Sequence, residues 1–206
     1  MLKLLETEKM KKMLTETETI ALLKETEALL EGHFILSSGL RSERYVQCAK
    51  LLMYPQKAQT ICKSLAEKIK LAHLNFDTVV SPAIGGILAG YEVARHLELP
   101  SLFTERVDGV FTLRRGFSLN KNNRVLIVED VITTGKSSLE CANAIEKYGA
   151  NVAGYACIID RSSGKSIIKE PIISQISFDI PTYSLETLPE KLKKIKAVKP
   201  GSREIL

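Results

Sequence analysis

The sequence predicts an α/β fold in which a mostly parallel sheet is flanked by helices and preceded by a small N-terminal hood. Three observations lead to this prediction. Short apolar runs rich in β-branched residues recur along the chain, as in strands that are buried on both faces. Helical segments alternate with these runs, which favours parallel strands joined by crossover helices. No linker-like segment and no internal repeat interrupts the chain, so we expect one domain over residues 1–206.

Residues 1–50 are predicted to form the helices and the hairpin of the hood. Residues 1–31 are rich in Leu, Lys, Glu and Thr, and we expect one or two helices there, the second capped by Thr15 or Thr17. The apolar face of that helix is assigned to Ile20, Leu22, Leu23, Leu29 and Leu30. Gly32–Gln47 then predicts a β-hairpin with a turn rich in Ser and Gly.

The next segment is predicted to be a strand that ends in a glycine-containing loop. Pro55–Leu71 has the apolar spacing of a helix, and Thr78–Val80 is a short apolar strand. Ser81–Gly86 follows and leads into a helix that is predicted to end at Leu97. The paired glycines that end this loop allow backbone amides to approach a ligand closely, although tight packing of strand against helix also favours glycine.

A third strand, Pro100–Arg106, precedes a long connection, Val107–Asn123. Connections of this length between two core strands are often mobile lids. This one contains Arg114 and Arg115. We therefore expect a mobile, positively charged segment next to the carboxyl edge of the sheet.

The strongest pattern in the chain is Arg124–Ser138. A β-branched run is followed by Glu129 and Asp130, then by hydroxyl residues and a glycine, and then by a helix with Ser137 or Ser138 as its predicted cap. Ligands of open α/β sheets bind beyond the carboxyl ends of the strands. A helix N-terminus preceded by hydroxyls and a glycine binds anions, most simply a phosphate. The two carboxylates can bind hydroxyls or a metal, and they lie next to a predicted phosphate site. This combination suits a phosphorylated sugar as the ligand.

Two other interpretations apply to this loop. Gly135-Lys136-Ser137 resembles the end of a P-loop, but that motif needs a glycine five positions before Gly135, where this chain has Asp130. An ordinary turn with a solvated acid pair and a capped helix is the plainer alternative. The two acids and the five small or polar residues after them favour a ligand site over that alternative.

A fourth strand, Val152–Ile159, ends in Asp160 and Arg161. A lone arginine at a strand end is usually a surface charge. Arg161 falls on the predicted ligand edge, however, beyond the carboxyl end of a strand. The sequence therefore marks Arg161 as a candidate for substrate recognition.

Composition limits the classes of function. The net charge of +5 comes from 29 Lys and Arg against 24 Asp and Glu, which suits small anionic substrates but lacks the concentrated basic stripe of a nucleic-acid-binding protein. The densest basic run, Lys191–Lys199, is predicted to be a solvated helix face. No apolar run approaches the roughly 20 residues that span a bilayer, and the acidic N-terminus does not resemble a signal peptide. The four cysteines and three histidines are scattered, which argues against a metal site and for reduced thiols in a cytoplasmic protein.

The segment Val128–Ser137 resembles the ribose-phosphate signature of the type I phosphoribosyltransferases, and its Ile-Thr-Thr-Gly version is most similar to the orotate branch of that family. Phe34–Gly39 resembles the hood that covers the base in the orotate enzymes, and Leu113–Phe117 occurs in a subset of them. Pro171–Leu206 resembles their last strand and C-terminal helix. The resemblance covers residues 30–206 and implies the type I phosphoribosyltransferase fold.

The resemblance also implies a reaction. The 5-phosphoribosyl group of 5-phosphoribosyl 1-diphosphate (PRPP) is transferred to orotate, which gives orotidine 5′-phosphate and diphosphate in de novo pyrimidine biosynthesis. Mg²⁺ is the implied cofactor, held by PRPP and water without a direct protein ligand. Loss of diphosphate leaves positive charge on the ribose ring, which the carboxylates would stabilise. A homodimer, with a flexible loop that crosses between subunits, is implied as well.

Roles for the candidate site residues follow from the resemblance. The implied catalytic residues are Asp130, Glu129, Arg106 and Arg115. The implied PRPP-binding residues are Arg106, Gly85, Gly86, Glu129, Asp130, Val131, Ile132, Thr133, Thr134, Gly135, Lys136 and Ser137. The implied orotate-binding residues are Thr133, Arg161, Ser38 and Tyr45.

The chain departs from the family pattern at three places. Many members carry Lys where this chain has Ser37, and some relatives carry Tyr-Lys where it has Ile84-Gly85. The usual loop places Lys and His after its Arg, but neither follows Arg106 at that spacing. The positive charge of the loop is therefore assigned jointly to Arg106, Arg114 and Arg115.

Two alternatives stay open at this point. A purine phosphoribosyltransferase shares the Val128–Ser137 signature, but its substrate has no carboxylate to pair with Arg161. A regulatory protein of the same fold senses PRPP or nucleotides without catalysis. Such regulators usually carry a nucleic-acid-binding module or a basic surface, and this sequence shows neither clearly.

Overall fold

The computed structural model describes residues 13–36 and 38–200. The strands are β1 (Leu29–Ile35), β2 (Arg41–Val46), β3 (Thr78–Pro82), β4 (Ser101–Val107), β5 (Val110–Leu113), β6 (Arg124–Ile132), β7 (Asn151–Asp160), β8 (Ile172–Ser177) and β9 (Thr182–Tyr183). The helices are α1 (Glu16–Glu25), α2 (Cys48–Leu52), α3 (Pro55–Leu71), α4 (Gly85–Leu97), α5 (Lys136–Glu146) and α6 (Glu190–Lys193). Within the described ranges, no helix is long and apolar enough to cross a membrane. Ser37, the start of the predicted N-terminal helices and the end of the predicted C-terminal segment lie outside the described residues.

The central sheet has six strands in the order β5-β4-β3-β6-β7-β8. Its pairs are parallel, except that β5 runs antiparallel to β4. The predicted α/β class with a mostly parallel sheet is therefore confirmed. Chain order reverses at the β3–β6 pair, because β4 lies on one side of it and β7 and β8 lie on the other. Such a reversal opens a crevice at the carboxyl ends of the two strands.

Successive residues of β6 face two hydrophobic clusters, one on each side of the sheet. Leu126 and Val128 belong to the cluster that includes residues of α3 and α4. Val125 and Ile127 belong to the cluster that includes residues of α5. Full burial of such a side chain contributes about 1.5–3 kcal/mol, so a slip of one residue along β6 would be costly. This fixed register decides where the residues at the end of β6 point.

The N-terminal helix α1 is shorter than predicted. Thr15 caps it through a capping box with Glu18, which confirms Thr15 as the cap. After the helix, Glu27 takes a left-handed conformation with a φ of 56°, and this turn redirects the chain. Leu29 and Leu30 therefore lie in β1, and their assignment to the apolar face of a helix is wrong.

The predicted hairpin of the hood is confirmed and is longer than expected. Strands β1 and β2 pair antiparallel, and β9 adds to the edge of β2. On the outer edge of β1, Val198 exchanges backbone hydrogen bonds with His33 and Ile35. The basic run Lys191–Lys199 is helical only as far as Lys193, so its prediction as a helix face is wrong beyond that residue, where the chain pairs with β1 instead.

The connection after β4 differs from the long loop that the sequence predicts. Asp108 and Gly109 form a turn with φ values of 49° and 81°, and β5 returns antiparallel along β4. Phe111 and Leu113 of β5 are buried in the cluster on the α5 side of the sheet. Two apolar anchors thus hold the first part of this connection in a hairpin, and only residues 114–123 lie outside regular strands.

Candidate active site

Three loops meet at the carboxyl edge of the sheet. They follow β3 and β6, which border the crevice, and β7, which lies next to β6. The loop after β3 leads to Gly85, and the segment after β7 begins with Arg161. The backbone N–H of Arg161 donates to the carbonyl of Ile132 at 2.8 Å, so two of the loops are joined directly. The structure therefore brings the predicted donor-binding and orotate-binding segments together.

Glu129 and Asp130 point to opposite faces of the sheet, because successive side chains of a strand alternate. Glu129 continues the face of Val125 and Ile127 toward α5, and Asp130 continues the opposite face toward α4. The two acids do not form a side-by-side pair. The charge of Asp130 still raises the pKa of Glu129, although burial is the larger cause of that shift. Each acid faces a different loop of the crevice.

Glu129 faces the loop after β6. The side chain is 8% exposed and, together with residues 131–138, it lines a cavity of about 40 Å³. Its Oε1 accepts a hydrogen bond of 2.5 Å from Oγ of Ser138. Burial raises the pKa of Glu129 to about 7, and the hydrogen bond from Ser138 acts against that rise. Glu129 is therefore a carboxylate whose charge is weakly compensated in the free protein.

Asp130 faces the start of α4. A Cβ added to Gly85 would lie 2.9 Å from both carboxylate oxygens of Asp130, so the missing side chain of Gly85 makes room for this carboxylate. Burial raises the pKa of Asp130, and the backbone amide of Val131 acts against that rise. Within the described residues, no side chain forms a hydrogen bond or ion pair with the Asp130 carboxylate. The hydrogen bonds of Asp130 come from the backbone amides of Asp130 and Val131, whereas Glu129 accepts one from a side chain.

The loop after β6 joins α5 through Gly135. This residue is the N-cap with a φ of 82°, so the prediction of Ser137 or Ser138 as the cap is wrong; both lie in the first turn of the helix. Oγ1 of Thr134 accepts from the Lys136 amide at 3.3 Å. The first amides of a helix have no acceptor inside it. The amides of Ser137 and Ser138 therefore remain for an anion, as in many phosphate sites.

Residues 166–168, which sequence reasoning did not single out, support this loop. A Cβ at Gly135 would lie 2.5 Å from Oγ of Ser166 and 2.8 Å from Cγ1 of Ile168. The Ile167 amide donates to the carbonyl of Thr134 at 2.9 Å. No local signal marks this segment, because its importance arises from a contact between distant parts of the chain.

The remaining loop residues have different surroundings. Ile132 is 2% exposed and belongs to the core, and Val131 packs against the cluster on the other face. Thr133 and Thr134 are exposed at the mouth of the cavity. Of the predicted PRPP-binding residues, Val131 and Ile132 therefore shape the loop, and the threonines offer hydroxyls.

Arg161 lies between the strand edge and the hood. Its Nε is buried and has no hydrogen-bond partner among the described residues. Burial lowers the pKa of Arg161, and the nearby Tyr45 of β2 acts against that effect. Ser38, by contrast, is exposed in the hairpin turn, where its Oγ accepts from the Leu40 amide at 3.4 Å. Buried donors are normally satisfied, so the unpartnered nitrogen of Arg161 points to a ligand.

Two of the three predicted loop arginines are paired with acids. Nη2 of Arg106 donates to Glu140 of α5 at 2.5 Å. Arg115 binds the carboxylate of Glu105 through hydrogen bonds of 2.8 and 3.1 Å. Arg114 is exposed and forms no ion pair or side-chain hydrogen bond within the described part of the chain.

Comparisons with known proteins agree with this architecture. Residues 52–183 match the phosphoribosyl transferase domain family. The chain is 50% identical over 192 residues to an orotate phosphoribosyltransferase of Rhizorhabdus wittichii, a match that covers 92% of this chain and 97% of the relative. It is 48% identical over 191 residues to an orotate phosphoribosyltransferase of Maricaulis maris, with 92% and 98% covered.

A solved structure has the same fold. The crystal structure of an orotate phosphoribosyltransferase from Aeropyrum pernix superposes with a TM-score of 0.66 at 24% sequence identity. The match covers 84% of this chain and 97% of that one. Almost the whole of that protein therefore has its counterpart in this chain.

Proposed function

The chain belongs to the orotate phosphoribosyltransferase family, and we propose that the crevice between β3 and β6 carries out the family's reaction with the residues described above. The reaction transfers the 5-phosphoribosyl group of PRPP to orotate and gives orotidine 5′-phosphate and diphosphate, a step of de novo UMP biosynthesis. The observation that carries the site assignment is Arg161. Its buried, unpartnered guanidinium nitrogen lies at the edge where the loops of the crevice meet.

In this proposal PRPP lies across the crevice between α4 and α5. Its 5′-phosphate occupies the cavity at the N-terminus of α5, where free amides and the helix dipole favour an anion. Its diphosphate lies against Gly85 and Gly86, where the lack of side chains lets backbone amides approach. The ribose then crosses the end of β6, and its hydroxyls fall between Glu129 on one face and Asp130 on the other.

The crevice fits Mg²⁺ that is bound through PRPP and water. The Asp130 carboxylate, which lies close against Gly85, would suit a contact to a water of the metal. Within residues 13–36 and 38–200, no three His, Cys, Asp or Glu side chains form a group that would hold a metal directly. When bound with PRPP, the metal supplies positive charge that neutralises the departing diphosphate.

The chemistry requires mainly electrostatic stabilisation from the chain. The bond from ribose C1 to the diphosphate oxygen breaks, and a bond from C1 to the orotate ring nitrogen forms. Positive charge develops on the ribose ring between these events, and the carboxylates of Glu129 and Asp130 stabilise it more strongly in this buried setting than in water. The orotate ring nitrogen is already acidic, so the site needs no strong base, and positioning is its other main contribution.

The Arg161 guanidinium binds the orotate carboxylate in this arrangement. The planar fork of Arg forms two parallel hydrogen bonds to a carboxylate, and Arg161 has a buried Nε to offer. Tyr45 of the hood lies next to it, and Thr133 adds an exposed hydroxyl at the mouth of the cavity. Ser38, in the turn of the β1–β2 hairpin, is the other hood residue that we propose contacts orotate.

The arginines of the β4–β5 hairpin supply positive charge to the departing diphosphate. Arg114 is exposed and has no acidic partner among the described residues, so it is available without rearrangement. Arg106 and Arg115 are held by carboxylates, and the phosphates of PRPP would compete with those carboxylates for them. Of the predicted lid, residues 107–120, the part after β5 lies outside regular strands, and we propose that this part closes over the site.

A second copy of this chain is the proposed protein partner. Ile84, Leu88 and Tyr91 are 86%, 57% and 62% exposed, and their spacing places them along one face of α4. An exposed apolar surface of this kind marks an interaction site, and this one begins beside Gly85, so the partner would be seated next to PRPP. Light scattering should give the mass of a dimer for the wild type and of a monomer for Leu88→Lys. A monomeric wild type would contradict the proposal.

The remaining partners are small molecules, and the proposed location is the cytoplasm. All four cysteines are free and buried, as in proteins of reducing compartments. The modest net charge of +5 suits anionic substrates. No nucleic-acid partner is proposed.

An absorbance assay tests the function. The protein is mixed with PRPP, Mg²⁺ and either orotate or a purine base, and the absorbance of the base is followed. We expect orotate to be consumed only when PRPP and the metal are present, and the purine to be unchanged. Consumption of the purine instead would assign the chain to the purine enzymes. Binding of PRPP without turnover of either base would indicate a sensor.

A further inference from the structure

The only side-chain hydrogen bond that Glu129 forms in the described part of the chain joins it to Ser138. The Ser138 side chain is 0% exposed, and its Oγ lies 2.5 Å from Oε1 of Glu129. The two residues come from different elements, because Glu129 lies in β6 and Ser138 lies in the first turn of α5. This bond spans the loop that carries Thr133–Gly135.

A buried carboxylate needs such a donor for two reasons. An unsatisfied oxygen in an apolar setting is costly, and a free Glu side chain has several rotamers from which to choose. Glu129 lies on the face of β6 that carries Val125 and Ile127, and its side chain reaches the cavity lined by residues 131–138. The charge of Asp130 acts on Glu129 as a repulsion. The hydroxyl of Ser138 is therefore what fixes the direction of the carboxylate.

We propose that Ser138 is a positioning residue for the transfer reaction. It engages Oε1 of Glu129 so that Oε2 is directed into the cavity, where it accepts a ribose hydroxyl of PRPP. This inference rests on the proposed function and adds to it the side chain of Ser138. The amides of Ser137 and Ser138 face the phosphate in that proposal, whereas the hydroxyl of Ser138 acts through Glu129.

The hydrogen bond between Ser138 and Glu129 also links the carboxylate to the proposed phosphate site. Ser138 belongs to the first turn of α5, whose amides are free for an anion. The bond therefore holds the carboxylate and the phosphate site at a fixed separation. The distance from a ribose hydroxyl to the 5′-phosphate is limited to a narrow range by the bonds that join them. Loss of the hydrogen bond between Ser138 and Glu129 should therefore weaken the binding of PRPP more than the binding of orotate, which is recognised at Arg161.

Three variants test the role of Ser138. Ser138→Ala removes the donor, and Ser138→Cys keeps a side chain of similar shape with a weak donor. Ser64→Ala is the matched control, since Ser64 is 1% exposed in α3, where it accepts from the Leu14 amide away from the crevice. Thermal unfolding confirms that each variant is folded. We expect the dissociation constant of PRPP, measured by calorimetry, and its KM to rise about tenfold in Ser138→Ala, less in Ser138→Cys, and not in Ser64→Ala.

A double-mutant cycle with Glu129→Ala separates positioning from simple packing. If Ser138 acts through Glu129, Ser138→Ala should change PRPP affinity less than about twofold once the carboxylate is absent. An equal loss in both backgrounds would overturn the proposal, as would an equal rise in the KM values of PRPP and orotate. If the Ala variants do not fold, PRPP affinity is compared between Ser138→Cys and Ser64→Cys. A loss in Ser138→Cys alone supports positioning, and an equal loss in both overturns it. An inactive wild type would refute the function itself, whereas an active wild type with a normal Ser138→Ala would refute only this inference.

Discussion

Asp130 is a partly buried carboxylate to which no described side chain donates a hydrogen bond, and burial raises its pKa. Such an arrangement destabilises the folded state. Groups of this kind are found where a ligand completes their surroundings, which is why perturbed acids mark functional sites. Gly85, whose missing side chain makes room for the carboxylate, allows Asp130 to be held in this position.

Asp130→Asn tests this role directly. Asn has the same shape but no charge, so it should retain the fold while it loses the stabilisation of the cationic ribose ring. We expect the rate of orotidine 5′-phosphate formation to fall about 100-fold or more, with no loss in unfolding temperature. Initial rates and circular dichroism check both parts. Near-normal turnover would exclude Asp130 from the chemistry.

Arg161→Ala should separate recognition of orotate from recognition of PRPP. The loss of two charge-assisted hydrogen bonds to a carboxylate corresponds to a rise of about 100-fold in the KM of orotate. Arg161→Lys keeps the charge but loses the fork, so it should recover only part of the loss. The KM of PRPP should change little in either variant. Equal effects on both substrates would contradict carboxylate recognition.

At this scale, the residues that the sequence could predict are those marked by local chemistry. Glu129 and Asp130 interrupt an apolar run, and Arg161 follows one. The opposite orientations of the two acids follow from strand alternation and could have been predicted from the sequence. The pairing of Ser138 with Glu129 could not, because the bond depends on how α5 packs against β6.

At the scale of elements, the loop after β3 shows how a backbone feature serves a side chain in another strand. Gly85 begins α4, and its missing Cβ is what admits the Asp130 carboxylate. Gly85→Ala would bring a methyl group to 2.9 Å from both oxygens, so the carboxylate would have to turn. We expect PRPP affinity to fall about tenfold, since one contact to a charged group is lost.

The natural control is Gly109→Ala. A Cβ at Gly109 meets nothing within 4 Å, but its φ of 81° would be strained. That variant should lower the unfolding temperature without a specific loss of PRPP affinity. If Gly85→Ala binds PRPP as the wild type does, the space in front of Asp130 has no role in donor binding.

The β4–β5 hairpin changes which loop arginine is expected to dominate. Arg114→Ala should slow turnover more than Arg115→Ala, because Arg115 is already held by Glu105 whereas Arg114 is unpaired among the described residues. Single-turnover rates with saturating PRPP and orotate measure this directly. A larger effect of Arg115→Ala would mean that the Glu105 pair opens when PRPP binds. Arg106→Ala is less informative, since it also removes the packing on Phe111.

The sequence predicted most elements well and this hairpin poorly. Pro55–Leu71 was expected as a helix and is one from end to end, because its apolar spacing is regular. The strand β5 is only four residues long, and its neighbours Arg114 and Gly116 obscure it. Leu29 and Leu30 were misassigned because two adjacent leucines fit a helix face and a buried strand equally well.

At the scale of the whole molecule, the order of the strands places the site. The crevice exists because β4 and β7 extend the sheet in opposite directions from the β3–β6 pair. Alternating strands and helices predict a parallel sheet, but not the order of its strands, since that order depends on which faces pack together. The sequence therefore predicted which strand ends contribute to the site, and the structure shows which of those strands lie next to each other.

Burial of Glu129 should also make the stability of the whole domain depend on pH. In the unfolded chain its pKa is near the usual 4.5, and in the folded protein it is about 7. Between these values the folded state binds more protons than the unfolded state, so the free energy of unfolding falls as the pH rises. About one pH unit above 7, both states are almost fully ionised and the loss is nearly complete, on the order of 3 kcal/mol. The raised pKa of Asp130 acts in the same direction.

Glu129→Gln isolates this contribution, because Gln cannot ionise and keeps an oxygen for Ser138. We expect the variant to match the wild type near pH 4.5 and to exceed it in stability by up to about 3 kcal/mol at pH 8, since Asp130 contributes equally to both. Urea unfolding at intervals from pH 4.5 to 8 gives the two curves. Parallel curves would mean that Glu129 is not a buried, uncompensated acid. Divergence, with PRPP binding weakened in the variant, would show that the fold gives up stability at neutral pH to keep this carboxylate available for the donor.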